Sequence, residues 1–393
     1  MTIFEYYTPT KVVFGRDTQH RVGELVKSFG GTKVLLHYGG QSAVRSGLLD
    51  AVKDSLEKAG IDYVELGGVV PNPHLGKVRE GIALGLEAGV DFILAVGGGS
   101  VIDSAKAIGY GIAEPEYDVW ELFEYTREAK ACLPIGAVLT IAAAGSEMSM
   151  GSVITDEEHA NKRAYDTDLC RPKFAIMNPE LTMTLPDYQT MSGCVDIMMH
   201  MMERYFSGAG AMEVTDGMAE HLLRQVMEMA EVLHREPQNY DARAEVMWAG
   251  SLAHNGLLSC GNDGGDWSTH MLEHELGGMF DVTHGAGLAA IWPSWARYCQ
   301  DACRDRFVKF ARNVMQVEAG IDDAETVERG IRAMEDFYHR IDMPANMTEL
   351  GINPTDEQIA AMAKSCHVAS GGEMGSAKRL READMLAIYR LAR

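Results

Sequence analysis

Residues 270–274 read HMLEH, two histidines four apart with a glutamate beside the second. On a helix His270 and His274 share a face, where two ring nitrogens can meet one metal ion. The spelling H-x-x-E-H is also that of inverted zinc proteases. A second pair, Asp196 and His200, stands four apart in CVDIMMHMMERY (194–205). His284 follows in FDVTHGAGL (280–288), just before a glycine-rich turn. Three histidines and one carboxylate make an N/O shell suited to iron or zinc, and a metal so held polarises a bound oxygen. A lone Asp–His pair on a helix is more often a hydrogen bond, so the weight rests on the combination. His37, His234, His339 and His367 lack such company and read as surface or loop residues. His254, in SLAHNGLL, reads as packing or capping near the site rather than as a ligand.

A different chemistry is written into AVGGGSVIDSAKAIG (95–109), which follows an apolar run and opens a helical one. Successive glycines let backbone N–H groups approach an anion, and a helix N-terminus favours a pyrophosphate. Ser100 is placed to cap that helix and Asp103 to lie in its first turn. The stretch does not spell a P-loop. HYGGQSAVRSG (37–47) is a second phosphate-sized loop. NAD-preferring folds place an Asp or Glu at such a strand end to hold the ribose 2′-OH. Here Gly39, Gly40, Gln41 and Ser42 carry no carboxylate, and Ser42 and Arg45 can meet a 2′-phosphate. This points to NADP.

The elements that must carry these residues fall into two halves. KVLLHYGG (33–40), DYVELGGV (62–69) and DFILAVGGGS (91–100) read as strands. DAVKDSLEKAG (50–60) and HLGKVREGIALGLEAG (74–89) read as helices between them. Such alternation implies right-handed crossovers and a parallel sheet. After MNPELTMTLP (177–186) the signals turn helical, as in 213–236, 324–341 and the terminal READMLAIYRLAR. The expected domains are therefore an α/β dinucleotide-binding half over 1–187 and a helical, metal-binding half over 188–393. The short junction predicts that they pack over a cleft. With 46% hydrophobic residues in 393, the chain can bury substantial cores. Its net charge of -22 disfavours nucleic acid as a partner. Seven cysteines without a C-x-x-C point to reduced thiols and a cytoplasmic protein. Neither a signal peptide nor a membrane span is evident. Most of the 24 methionines read as adaptable core filler.

A protease would use His270 and His274 as ligands and Glu273 as base, and would have no use for the strand–GGGS–helix unit. A nucleotide half joined to a metal half is the layout of a metal-assisted dehydrogenase. At this point the chain resembles the iron-containing (group III) alcohol dehydrogenases, and within them the NADPH-dependent butanol dehydrogenase and aldehyde reductase branch. The resemblance runs from about residue 3 to the C-terminus, through FGRD (14–17), YGGQS (38–42), VVPNPHL (69–75), AVGGGSVIDSAKAI (95–108), LTIAAAGSEMS (139–149), MNPELTMTLP, GCVDIMMHMME (193–203), MWAGSLAHNGLL (247–258) and GDWSTHMLEHELGGMFDVTHGAGLA (265–289).

The resemblance implies a Rossmann-like α/β domain followed by an all-α domain, with cofactor and metal in the cleft between them. It implies Asp196, His200, His270 and His284 as ligands of one Fe(II) or Zn(II). His274 would then lie near nicotinamide and substrate and relay a proton. Gly98, Gly99 and Ser100, with Asp103 nearby, would hold the pyrophosphate. Asn72, Thr140, Ser146 and Lys162 would line the cofactor cleft, and Gly39, Gly40 and Ser42 would take the adenosine ribose phosphate. The chain departs from the family at Ala144, commonly threonine, and at Gln41, commonly glycine in close relatives. The implied reaction is hydride transfer between NADP(H), preferred over NAD(H), and a short- or medium-chain primary alcohol or aldehyde such as butanol or butanal. The implied assembly is a homodimer. An NAD-dependent polyol dehydrogenase on the same scaffold is the alternative, and a zinc protease a remote one.

Overall fold

The apolar runs at 33–40 and 91–100 form strands buried on both faces, whereas that at 62–69 forms an edge strand buried only at Leu66. A computed structural model describes residues 1–40, 42–159 and 161–393, in two units: Tyr7–Thr184, and Leu185–Arg393 together with Met1–Tyr6. The first unit holds β1 (Lys11–Phe14), β2 (Lys33–Tyr38), β3 (Asp62–Leu66), β4 (Phe92–Gly97), β5 (Ile135–Leu139), β6 (Gly151–Asp156), β7 (Asn161–Asp166) and β8 (Phe174–Met177). Six of these make a sheet ordered β1-β8-β5-β4-β2-β3, every pair parallel. β6 and β7 form a separate antiparallel hairpin. The helices of this unit are α1 (Val22–Ser28), α2 (Ser42–Arg45), α3 (Leu48–Ala59), α4 (Leu75–Ala88), α5 (Gly99–Ala113) and α6 (Trp120–Phe123). All six residues of β4 are buried, as a central parallel strand requires. Each such Val, Leu or Ile contributes roughly 1.5–3 kcal/mol by leaving water.

The sheet order fixes where a ligand can sit. From β2 the chain moves outward to β3, then crosses back to β4 on the other side of β2. Ligands of open parallel sheets bind beyond the C-terminal ends of strands at such a reversal. The 39–42 loop leaves the end of β2, and the 97–100 loop leaves the end of β4, its hydrogen-bonded neighbour.

One histidine is corrected. His37, expected at the surface or in a loop, is wholly buried on β2. Its Nδ1 lies 3.0 Å from the Leu66 carbonyl oxygen and its Nε2 2.9 Å from Ser104 Oγ. Burial pushes its pKa down to about 4, against the opposing Leu66 bond. A neutral ring can donate from one nitrogen and accept at the other, so it satisfies both partners inside the sheet.

The second unit holds α7 (Asp187–Tyr205), α8 (Glu213–Arg235), α9 (Tyr240–His254), α10 (Ser268–Phe280), α11 (His284–Cys299), α12 (Arg304–Asn313), α13 (Asp323–Arg340), α14 (Asp356–Ala369) and α15 (Glu382–Ala392). α7 is buried at every position from Thr190 to Tyr205. A helix buried all round is an interior helix, and Met191, Met198, Met199, Met201 and Met202 fill the space about it. The seven cysteines are all free. Among the described residues, no helix is long and apolar enough to cross a membrane.

Candidate metal centre and cofactor loops

α7 places Asp196 and His200 one turn apart in its buried stretch, 4% exposed each. α10 brings His270 to them, and α11 brings His284. From Asp196 Oδ1 the distances are 3.4 Å to His200 Nδ1, 3.7 Å to His270 Nε2 and 3.6 Å to His284 Nε2. These exceed ordinary hydrogen bonds. Among the described residues, Asp196 Oδ1, His200 Nδ1 and His270 Nε2 are buried and make no hydrogen bond. Buried polar atoms are normally satisfied, so three such atoms converging on one point fit the donor set of a divalent cation. Asp196, His270 and His284 each offer a ligand atom within 4.8 Å of the others. His200 reaches this set through Asp196, and its ring packs on those of His254 (4.1 Å between centroids) and His270 (4.6 Å).

The electrostatics differ between the two helices. Burial opposes protonation of His270, but Asp196 and Glu203 outweigh it and raise its pKa to about 9. His200 goes the other way: burial, then the neighbouring His254 and His270, push it well below its ordinary value.

The glycines of HGAG explain why His284 arrives at all. His284 does not precede a glycine-rich turn, as the sequence reading had it, but is the first residue of α11. A Cβ at Gly285 would overlap the backbone carbonyl of Ser192 on α7. Only glycine lets the two backbones approach so closely, and that approach sets His284 against Asp196. Trp267, at φ 62°, precedes α10, and its ring lies 5.4 Å from His270 and 4.6 Å from the Arg204 guanidinium.

His274 stands beside this set, with its ring 5.8 Å from that of His284 and 6.5 Å from that of His270. Glu273, His274 and His284 form a second set of ligand atoms within 4.8 Å, sharing His284. Glu273, the would-be protease base, is fully buried and accepts a hydrogen bond from His284 Nδ1.

The cofactor candidates all lie in the first unit. Gly39, Gly40 and Ser42 follow β2, with Gly40 and Ser42 exposed. Gln41 lies outside the described residues. Gly98, Gly99 and Ser100 follow β4, and Thr140 follows β5, its N–H donating to Gly97 O at 3.0 Å. A Cβ at Gly98 would overlap Ile141, so the turn closes only with glycine there. A Cβ at Gly99 would come 2.9 Å from that of Ala144, so the absent threonine hydroxyl is absent from this turn's edge. Lys162 Nζ donates to Asn72 Oδ1 at 3.1 Å.

Three details differ from expectation. Gly98 is the N-cap of α5, so Ser100 sits inside the helix and does not cap it. Asp103 is beyond the first turn and faces β6, accepting from Ser146 Oγ at 2.5 Å and Val153 N–H at 3.0 Å. Burial raises its pKa, against Lys106 and those two bonds. Ser146 is buried, accepting from Lys106 Nζ at 2.9 Å, while Asp103 is half-buried. These bonds tie both residues to the segment behind the glycine turn.

The resemblance drawn from the sequence can be set against known proteins. The family model "Iron-containing alcohol dehydrogenase" matches residues 9–179, and "Fe-containing alcohol dehydrogenase family, C-terminal" matches 190–393. The chain is 41% identical to the probable NADH-dependent butanol dehydrogenase 1 of Bacillus subtilis, over 99% of each. It is 36% identical to the NADPH-dependent aldehyde reductase YqhD of Escherichia coli, over 90% of each. The crystal structure of NADH-dependent butanol dehydrogenase A from Thermotoga maritima superposes with a TM-score of 0.96 at 37% identity, covering 100% of this chain and 99% of that one. On these matches the chain belongs to the iron-containing alcohol dehydrogenase family, and it is an NAD(P)H-dependent alcohol dehydrogenase or aldehyde reductase.

Proposed function

We propose that this enzyme interconverts short- or medium-chain primary alcohols and aldehydes, butanol and butanal among them, with a divalent metal held by Asp196, His200, His270 and His284. The observation that carries the metal assignment is the convergence of orphaned, buried ligand atoms about Asp196 Oδ1. When bound, the metal supplies Lewis-acid polarisation of the substrate oxygen and the nicotinamide supplies or accepts the hydride. Asp196 contributes the carboxylate of the ligand set, and His270 and His284 aim their Nε2 atoms at the same point. His274, adjacent but aside, gives the proton to the nascent alkoxide in reduction and takes it in oxidation. The glycine turn after β4 offers backbone N–H groups to the pyrophosphate, with Gly98, Gly99 and Ser100 at its centre. Asn72, Thr140 and Lys162 bind the rest of the cofactor, while Asp103 and Ser146 shape the turn. The nine-tenths coverage by both butanol dehydrogenase and aldehyde reductase relatives supports the substrate class.

NADP(H) ahead of NAD(H) is part of this proposal. It rests on Gly39, Gly40 and Ser42, where no carboxylate would repel a 2′-phosphate. The names of the relatives lean the other way: the butanol dehydrogenases are called NADH-dependent and the aldehyde reductase NADPH-dependent. Gly39→Asp tests the point cleanly. A Cβ at 39 meets nothing closer than 3.6 Å, so the change adds charge without a clash. The expected result is a fall of about tenfold or more in kcat/KM for NADPH, roughly 1.4 kcal/mol, with NADH changed far less. Equal losses with both cofactors would remove the 2′-phosphate from this loop.

The homodimer belongs to the same reading, supported by exposed Ile3, Phe4 and Tyr7 near the N-terminus, as does a cytoplasmic location. Oxidation of NADPH and NADH by a panel of linear aldehydes tests the reaction, with glycerol and casein as controls. Turnover of butanal without casein cleavage is expected. Glycerol oxidation with NAD far outpacing it would favour the polyol alternative.

A further inference from the structure

Two buried carboxylates outside the ligand set share one geometry. Glu203, 2% exposed on α7, places Oε1 3.0 Å from His270 Nδ1 and 2.9 Å from the His270 backbone N–H. Glu273, fully buried on α10, takes the Nδ1–H of His284 on Oε2. In each case the carboxylate accepts from Nδ1, which fixes the tautomer and leaves Nε2 with its lone pair toward Asp196. His200 presents the other nitrogen: its Nδ1, 3.4 Å from Asp196 Oδ1 and without a hydrogen bond among the described residues, is the atom turned to that point. The helices are shaped around these contacts. Asp196, His200 and Glu203 stand at i, i+4 and i+7 of one buried face. A Cβ at Gly287, one turn after His284, would stand 2.8 Å from Glu273 Cγ and 2.9 Å from Oε1. The second glycine of HGAG is thus the floor on which the Glu273 carboxyl lies.

We propose that Glu203 and Glu273 are positioning residues that hold the His270 and His284 imidazoles in the orientation the metal needs, with Gly287 making the room for Glu273. The proposal rests on the metal reading above. Neither carboxylate touches the reacting atoms. Each acts through its histidine, by fixing the ring and by making Nε2 a stronger donor. The negative charge of each, in a dry interior, also strengthens the hold on a cation.

The test uses the full-length protein, stripped of metal and titrated with Co(II) against a chromophoric chelator, with the visible cobalt bands recorded. Glu203→Gln and Glu273→Gln are each expected to weaken Co(II) binding tenfold to hundredfold and to alter the bands. Glutamine retains an acceptor oxygen, so folding is expected to survive. Gly287→Ala changes no charged group, and is expected to weaken Co(II) binding and shift the bands like Glu273→Gln. Unchanged affinity and spectra in all three, with only a lower unfolding temperature of the metal-free protein, would overturn the proposal and leave these carboxylates a packing role. Asp196→Ala separates the two levels. If wild-type protein takes up no stoichiometric Co(II), or if Asp196→Ala keeps it, the metal reading fails and the proposal with it. If Asp196→Ala loses Co(II) while the glutamate and glycine variants bind as wild type, the proposal alone fails.

Discussion

His270→Ala is expected to remove metal and aldehyde-reducing activity together. The imidazole is central to the site by every measure: its Nε2 is one of the orphaned atoms, 3.7 Å from Asp196 Oδ1, and its ring packs on that of His200 at 4.6 Å. Alanine leaves Asp196 and Glu203 buried without the group that lies between them. A metal's polarisation of a carbonyl is worth several kcal/mol, and each 1.36 kcal/mol is tenfold in rate. The expected fall in kcat/KM is therefore about a thousandfold or more. Metal analysis of the purified variant, beside its turnover of butanal, checks this. A variant that kept stoichiometric metal would exclude His270 from the ligand set.

His274→Ala is expected to separate what His270→Ala joins. His274 lies one helical turn further along the same face of α10, but it belongs to the set that shares His284, not to the one about Asp196. Metal content should stay at the wild-type level, and kcat should fall by roughly 10²–10⁴-fold, the range for losing a general acid–base group. The pH profile of kcat should also lose an inflection, which simple damage to packing would not produce. Loss of metal instead would move the ligand set to Glu273, His274 and His284, and the Asp196 centre would have to be abandoned.

What the sequence disclosed about these residues follows from which forces act locally. The alternation of β2, β3 and β4 with α3 and α4 was legible, because β2 and β4, buried on both faces, write continuous apolar runs, and the edge strand β3 is bounded by glycines. So was the helical character of the second half, since α8 and α13 carry long amphipathic patterns. The histidine and aspartate spacings marked α7 and α10 as helices with a polar stripe. Glu203 stood in the same register, at i+7 from Asp196, and Glu273 at i+3 from His270. That signal was present, but a carboxylate's partner in another helix is a tertiary fact. His37 escaped for the same reason: only the sheet register supplies Leu66 and the crossover helix Ser104. Gly285 and Gly287 looked like a turn because glycines usually mark one. Here the close approach of α7 and the bulk of Glu273 demand them inside a helix. Asp103 and Ser146 were read from the resemblance as cofactor-binding, and the bonds that tie Ser146 to Asp103 and to the buried Lys106 are tertiary facts of the same kind.

The measurement that bears most directly on the central claim is nicotinamide absorbance with butanal, using metal-stripped protein before and after addition of Fe(II) or Zn(II). The account requires NADPH oxidation that is absent from the stripped protein, returns with one of these metals, and does not return in Asp196→Ala. Full turnover by stripped wild-type protein, or restoration in Asp196→Ala equal to wild type, would contradict it.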